Sequence, residues 1–93
     1  MTADKYAYAL SHPIRVAVIR YMKSQRGAKL SPTQIAAETG HPLTHVSYHV
    51  KILHEAGALR TAGTRQGKGI LQHFYTLDQA ALRQGLKALT DLV

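Results

Sequence analysis

The tetrapeptide Ser31-Pro32-Thr33-Gln34 constrains the fold more than any other segment, because it specifies where a helix begins. Serine suits the N-cap, proline suits the first helical position, and a Gln three residues after the cap can close a capping box. Gly40 is expected to end this helix after about two turns. Pro42 then begins a second helix, which Gly57 ends. The sequence therefore predicts two short helices joined by a tight turn.

The flanking segments predict further helices and one β-hairpin. Apolar residues at helical spacing predict a first helix over residues 3–10, a second from Pro13 to Gly27, and a last one from the N-cap Asp78 onward. Segments rich in β-formers at Leu59 to Ala62 and Ile70 to Leu77 predict two strands, joined by a flexible basic tip over residues 63–69. The prediction is a mainly α fold with a small β-hairpin: a winged helix-turn-helix of about five helices and a two-stranded wing, forming one domain over residues 1–93.

Apolar spacing also predicts which side of each central helix faces the core. In the second helix the predicted apolar stripe is formed by Ile14, Ala17, Val18 and Tyr21. The basic residues Arg15, Arg20 and Lys23 are expected to lie off that stripe. In the fourth helix the inward side chains are expected to be Leu43, Val46, Val50 and Leu53.

The positive charge is concentrated in the middle of the chain. The net charge is +7, and nine Lys and Arg lie between residues 15 and 68 against Glu38 and Glu55. The segments before and after that middle each balance their acids and bases. Such a distribution indicates a body that binds a polyanion, flanked by ends with another role.

Several functional classes are excluded or disfavoured by composition. The chain has no cysteine, which excludes disulfides, thiolate metal sites and cysteine nucleophiles. It has no glycine-rich phosphate loop or nucleophile elbow, and its five carboxylates are scattered, so we expect no enzyme and no cofactor. Residues 1–10 include Asp4 and Lys5 and lack a long apolar run, so we expect no signal peptide, no membrane partner and a cytoplasmic location.

Four ordered motifs resemble the ArsR-type winged-helix repressors. They are Ala9-Leu-Ser-His-Pro-Ile-Arg15, Leu30-Ser-Pro-Thr-Gln-Ile-Ala36, Val46-Ser-Tyr-His-Val-Lys-Ile-Leu53 with Glu55-Ala-Gly57, and Gln72-His-Phe-Tyr-Thr-Leu77. The resemblance implies a homodimer, held by the first and last helices, that binds a roughly palindromic operator. The chain departs from metal-sensing members because it lacks their cysteines and the Asp and His ligands of their last helix. Position 12 also holds His where the family often has Asp.

The predicted function is sequence-specific binding of double-stranded DNA by a transcriptional regulator, expected to be a repressor. Thr44, His45 and Tyr48 are the candidates for base edges, because the N-terminal half of a recognition helix enters the groove most deeply. Phosphates are expected to contact Ser47 and Lys51, the helix start at Ser31, Thr33 and Gln34, and the hairpin cations Arg65 and Lys68.

A second copy of the chain is the other expected partner. The neutral ends carry more apolar surface than a 93-residue monomer needs to cover, which predicts a dimer interface formed by Tyr6, Leu10, Leu82, Leu86 and Leu89.

Two other functions remain open from the sequence. Winged helices also serve as protein-interaction modules, which an apolar or acidic reading face would favour. The chain also has six histidines, which makes a histidine-based metal or pH sensor the other alternative. His45 and His49 have the i, i+4 spacing of a zinc chelate. A four-ligand site would also need His41 or His54, which lie on other faces, so no metal site is predicted. Chelation across a dimer, for example through His73, stays open.

Overall fold

The computed structural model describes residues 3–92, and within them it contains five helices and one antiparallel hairpin. In chain order the elements are α1 (Ala3–Ala9), α2 (Pro13–Ser24), α3 (Pro32–Thr39), α4 (Leu43–Glu55), β1 (Leu59–Gly67), β2 (Ile70–Leu77) and α5 (Gln79–Thr90). The fold class predicted from the sequence is confirmed. Val93, at the end of the predicted last helix, lies outside the described residues.

Helix α4 is the centre of the core. Its side chains Val46, Val50 and Leu53 are almost completely buried. The helix contacts α2, α3 and β1, so elements from before and after it in the chain meet on its apolar side. Burial of each such side chain is worth about 1.5–3 kcal/mol relative to exposure, and the position of α4 is therefore well determined.

The turn between α3 and α4 has a clear backbone cause. Gly40 ends α3 in the left-handed conformation, with φ +76°, and its N–H donates to the carbonyl of Ala36 over 3.0 Å. Glycine adopts this conformation without the penalty that a Cβ brings. Pro42 then stands at the N-cap of α4 in extended conformation. Three residues, 40–42, therefore join the two helices in the tight turn that the sequence predicted.

Two predictions about buried side chains were wrong. Leu43 lies on the same side of α4 as Val50 but is 46 % exposed, because it is the first residue of the helix, two turns before Val50. Arg15, predicted to lie off the apolar stripe of α2, is 4 % exposed. The fully buried apolar residue of α2 is Val18, with Met22 one turn later.

The hairpin is longer than predicted. Strand β1 continues to Gly67 and pairs in register with β2, so most of the segment predicted as a flexible tip is regular strand. The actual tip is the two-residue turn Lys68-Gly69, where φ is +48° and +76°. Positive φ at both central residues is the type I′ geometry, which matches the twist of the two strands. A bulge between Thr61 and Thr64 adds one residue to β1.

The base of the hairpin is attached to the loop that precedes α3. Leu30 and Tyr75 exchange two backbone hydrogen bonds of 2.9 and 2.8 Å, an isolated antiparallel bridge. Because Leu30 immediately precedes the N-cap of α3, this bridge fixes the hairpin against the start of that helix.

Helices α1 and α5 pack together through a ring and a glycine. A Cβ added to Gly85 would lie 2.1 Å from Cδ2 of Tyr6, so only glycine admits the ring at this approach. Tyr6 is 0 % exposed, and its hydroxyl has no hydrogen-bond partner within residues 3–92. Burial raises the pKa of Tyr6 to about 12. Tyr6 therefore belongs to the core of this chain, which corrects its prediction as an interface residue.

Over residues 3–92, no helix combines the length and the apolar character needed to cross a membrane.

Candidate nucleic-acid interface

Helix α4 has one buried side and one exposed side. The buried side carries Val46, His49, Val50 and Leu53. The exposed side carries the five polar residues predicted for DNA, which we call the reading face: Thr44, His45, Ser47, Tyr48 and Lys51. Tyr48 is 58 % exposed although it is a large aromatic residue. The reading face includes a cation and no carboxylate, which suits contact with a polyanion.

Helix α3, which packs against α4, begins at a capped N-terminus. The predicted capping box is present: Oγ of Ser31 accepts from the backbone N–H of Gln34 over 3.2 Å, and Oε1 of Gln34 accepts from the N–H of Ser31 over 2.9 Å. Ser31 is 2 % exposed, so its side chain serves the cap and does not reach the surface predicted for phosphate. Thr33 and Gln34 are exposed.

The hairpin carries the other predicted cations. Arg65 and Lys68 are both exposed, Arg65 in the paired part of β1 and Lys68 in the turn. A shallow groove of about 330 Å³ at the hairpin base is lined by Lys29 and Arg65, among other residues. No role for Lys29 was predicted from the sequence, because the bridge between Leu30 and Tyr75 is what brings it to the hairpin.

Arg15 stands behind the reading face rather than on it. Its Nε donates to the carbonyl of Ala9 over 2.9 Å, and its Nη2 donates to the carbonyl of Tyr8 over 2.9 Å. Its Nη1 lies 3.1 Å from Nδ1 of His49 on α4. A helix C-terminus is partly negative, so the end of α1 compensates the charge of this guanidinium.

His49 is buried against other cationic or ionisable groups. Its ring centroid lies 4.2 Å from that of His12, whose Nδ1 accepts from the backbone N–H of Ile14 as the N-cap of α2. Burial, followed by the charges of His12, Arg15, His45 and His41, lowers the pKa of His49 below its usual value of 6.5.

The histidines of α4 differ in exposure. His45 is exposed at the edge of the reading face, whereas His49, one turn later, is buried and contacts Arg15. In the part of the chain that the structure describes, no three His, Asp or Glu side chains come together as a metal ion would require. His54 and His73 are both exposed, and His54 lies edge-on to the ring of Tyr75.

The residues predicted for a dimer interface divide into core and surface. Leu82 is 7 % exposed and belongs to the core with Tyr6, whereas Leu86 is 52 % exposed. Leu10 and Leu89 are half-buried against the core. A groove of about 490 Å³ between α1, α2 and α5 is lined by Tyr6, Leu10, Ile19, Lys23, Gln79, Leu82, Arg83 and Leu86.

A sequence profile described as a helix-turn-helix domain matches residues 10–62, more than half of the chain. The chain belongs to this helix-turn-helix family. The match spans α2, α3, α4 and the beginning of β1. No curated protein matches the sequence significantly. The match includes the reading face of α4, so the residues predicted for DNA on that helix lie within the helix-turn-helix domain.

Solved structures share the fold across nearly the whole chain. An ArsR family transcriptional regulator superposes with a TM-score of 0.71 at 18 % identity, covering 96 % of this chain and 89 % of that protein. NolR from Sinorhizobium fredii superposes with a TM-score of 0.64 at 18 % sequence identity, and the match covers 97 % of this chain and 82 % of NolR. A possible transcriptional regulator from Methanosarcina mazei Go1 superposes with a TM-score of 0.70 at 14 % sequence identity, and the match covers 96 % of this chain and 79 % of that protein. The fold is thus the ArsR-type winged helix-turn-helix, as the sequence motifs predicted.

The capping box provides a test of the role of Ser31. We expect Ser31→Ala to lower the free energy of unfolding by about 1 kcal/mol, because the N–H of Gln34 loses its acceptor. Thr33→Ala, two residues later and exposed, is the matched control and should change stability by less than about 0.5 kcal/mol. Urea denaturation of both variants measures the difference. Equal stability of the two would show that Ser31 does not serve as the cap.

Proposed function

We propose that this chain is a homodimeric transcriptional repressor that binds a roughly palindromic operator, with α4 in the major groove and the β1–β2 hairpin against the adjacent backbone. The observation that carries the proposal is the reading face of α4. It is polar, carries a cation and is exposed, while the opposite side of the same helix is fixed in the core. A helix held rigidly on one side can present the other side to a groove without reorganising.

The reading face divides by position along α4. Thr44, His45 and Tyr48 belong to its first half, which enters the groove most deeply, and their side chains can donate to or accept from base edges. Ser47 and Lys51 suit phosphate oxygens at the rim of the groove, because a hydroxyl and an ammonium serve that contact without reading sequence. The mixture supports sequence-specific rather than purely electrostatic binding.

Three other segments add phosphate contacts in the proposal. Thr33 and Gln34 lie at the start of α3, where backbone N–H groups and the helix dipole favour an anion. Arg65 and Lys68 extend along the hairpin, and Lys29 lies beside Arg65 at its base. Ser31 has no direct contact in this proposal because its side chain is buried. The phosphate contact predicted for the start of α3 is therefore proposed for its exposed residues Thr33 and Gln34 alone.

The second copy is proposed to cover the face formed by α1 and α5. Leu86 is exposed there beside the half-buried Leu10 and Leu89, and these apolar side chains adjoin the groove between the two helices. A two-fold dimer through this face would place two copies of α4 in successive major grooves, about 34 Å apart. The operator should then have half-sites roughly 10 base pairs apart.

Salt dependence tests the role of the hairpin cations. Duplexes selected from random DNA would be titrated at several salt concentrations with wild type, Lys68→Ala and the control Lys87→Ala, which removes the same charge from the exposed side of α5. We expect Lys68→Ala to reduce the slope of the logarithm of the binding constant against the logarithm of the salt concentration by about 0.9. This is the change expected when one phosphate contact, and the counterion release that accompanies it, is lost. Lys87→Ala should keep the wild-type slope.

A selection that recovers no motif, or an affinity that is indifferent to salt in all three proteins, would contradict the proposed function. The recovered motif also tests symmetry, since two inverted half-sites are expected and a single asymmetric site would count against the dimer on DNA.

Sedimentation tests the dimer separately from DNA. Leu86→Asp places a charge on the proposed interface, and we expect it to sediment as a monomer with an unchanged far-UV spectrum, because Leu86 is already half exposed in the single chain. Gln84→Asp introduces the same charge on the exposed side of α5 and should leave the dimer intact. A wild-type protein that remains monomeric at micromolar concentration would contradict this part of the proposal.

A further inference from the structure

The contact between Arg15 and His49 joins two parts of the molecule that have different roles in the proposed function. Arg15 lies near the start of α2 and is hydrogen-bonded to the carbonyls that end α1. His49 lies in the middle of α4, among its buried residues. No carboxylate pairs with Arg15 within residues 3–92. Its N–H groups instead donate to the two carbonyl oxygens, to one imidazole nitrogen of His49 and, over 3.3 Å, to Oγ of Ser11.

The chemistry of this contact determines the protonation state of His49. A guanidinium only donates hydrogen bonds and keeps its proton in proteins, so Nδ1 of His49 must accept from Nη1 of Arg15. His49 is therefore neutral, with its proton on Nε2. A proton added at Nδ1 would place two donors, and two positive charges, 3.1 Å apart in a buried site.

We propose that Arg15 and His49 form a proton-sensitive positioning pair: neutral His49 holds α4 in its DNA-binding orientation, and protonation of His49 releases that orientation and lowers sequence-specific affinity. The inference rests on the proposed function of α4 as the recognition helix. Arg15 and His49 touch no DNA in this scheme and act through the placement of the reading face. A shift of about 1 Å in such a helix is enough to misalign contacts with base edges.

The surroundings of His49 oppose its protonation from every side. Arg15 and His12 face it from α2, with the His12 ring stacked at 4.2 Å. Tyr48 lies edge-on at 5.2 Å, and His45 and His41 act from α4 and the preceding turn. From α1, the ring of Tyr8 stacks on the guanidinium of Arg15 with the cationic carbon 4.8 Å from its centroid, and so stabilises the cation that a charged His49 would repel.

The sign of the expected pH effect distinguishes this pair from the other histidines. Positive charge gained anywhere on the exposed surface as pH falls would strengthen binding to operator and random DNA alike, because non-specific attraction is electrostatic. Protonation of His49 is expected to weaken binding to the selected operator while leaving non-specific attraction in place. The ratio of operator to random-sequence affinity therefore cancels this general electrostatic effect, and a substitution of His49 separates its contribution from that of His45, which the proposed function places at base edges.

The test compares three proteins between pH 7.5 and a pH at which the ring ¹⁵N shifts report protonation of His49. In wild type we expect the affinity ratio to fall by up to about tenfold per pH unit below the pKa of His49, the limit for uptake of one proton. His49→Asn keeps an acceptor near the position of Nδ1 and cannot be protonated, so its ratio should depend on pH much less than the ratio of wild type. His54→Asn, on the exposed side of the same helix, is the control and should follow wild type.

Three results would overturn the inference. One is a wild-type ratio that stays constant while His49 becomes protonated, and another is a His49→Asn ratio that falls as steeply as that of wild type. The third is loss of the far-UV helical signal in step with protonation, which would assign the weakened binding to unfolding. A wild-type protein that binds no duplex at pH 7.5 and low salt would instead overturn the proposed function, which the ring shifts alone do not test.

Discussion

A guanidinium buried without a carboxylate is costly, and the arrangement that offsets this cost organises the whole molecule. Arg15 takes its hydrogen-bond acceptors from the end of α1 and from His49 on α4. The interaction needs both helices in place and needs His49 neutral. It therefore ties the helix proposed to bind a second copy to the helix proposed to bind DNA, through a contact in which each donor has a specific acceptor. Apolar packing of Val46, Val50 and Leu53 supplies most of the free energy that holds α4, while the polar contact selects one orientation.

The rest of the proposed interface depends on that fixed helix. The capping box positions the start of α3, Gly40 sets the angle at which the chain enters α4, and the bridge between Leu30 and Tyr75 brings the hairpin to the same end of the molecule. Each of these devices is local, and in the proposed function one polyanion contacts the reading face, the N–H groups of α3 and the hairpin cations together. The exposed basic surface is smaller than the net charge suggests, since Arg15 is buried.

Sequence reasoning predicted what depends on local chemistry and failed where long-range packing decides. The start of α3 and the cap at Asp78 were predictable because each needs only a few neighbouring residues, and the five polar residues of the reading face followed from helical spacing. Arg15 was wrongly placed outside the core because periodicity assigns a charged residue to the surface, and its acceptors come from residues 6, 7 and 34 positions away. Tyr6 was assigned to an interface because the sequence does not reveal that Gly85 leaves room for its ring. The long β1 was missed because Lys68, a residue that rarely adopts positive φ, forms the turn with Gly69.

The central claim is that one continuous surface, made from the start of α3, the reading face of α4 and the hairpin, binds DNA while the side of α4 that carries His49 stays in the core. The most direct measurement is amide chemical-shift mapping of the ¹⁵N-labelled protein during titration with a selected duplex. The account predicts the largest changes at Thr33, Gln34, Thr44, His45, Tyr48, Arg65 and Lys68, with small changes along the exposed side of α5. Changes concentrated on α1 and α5, with the amides of α4 unaffected, would contradict it.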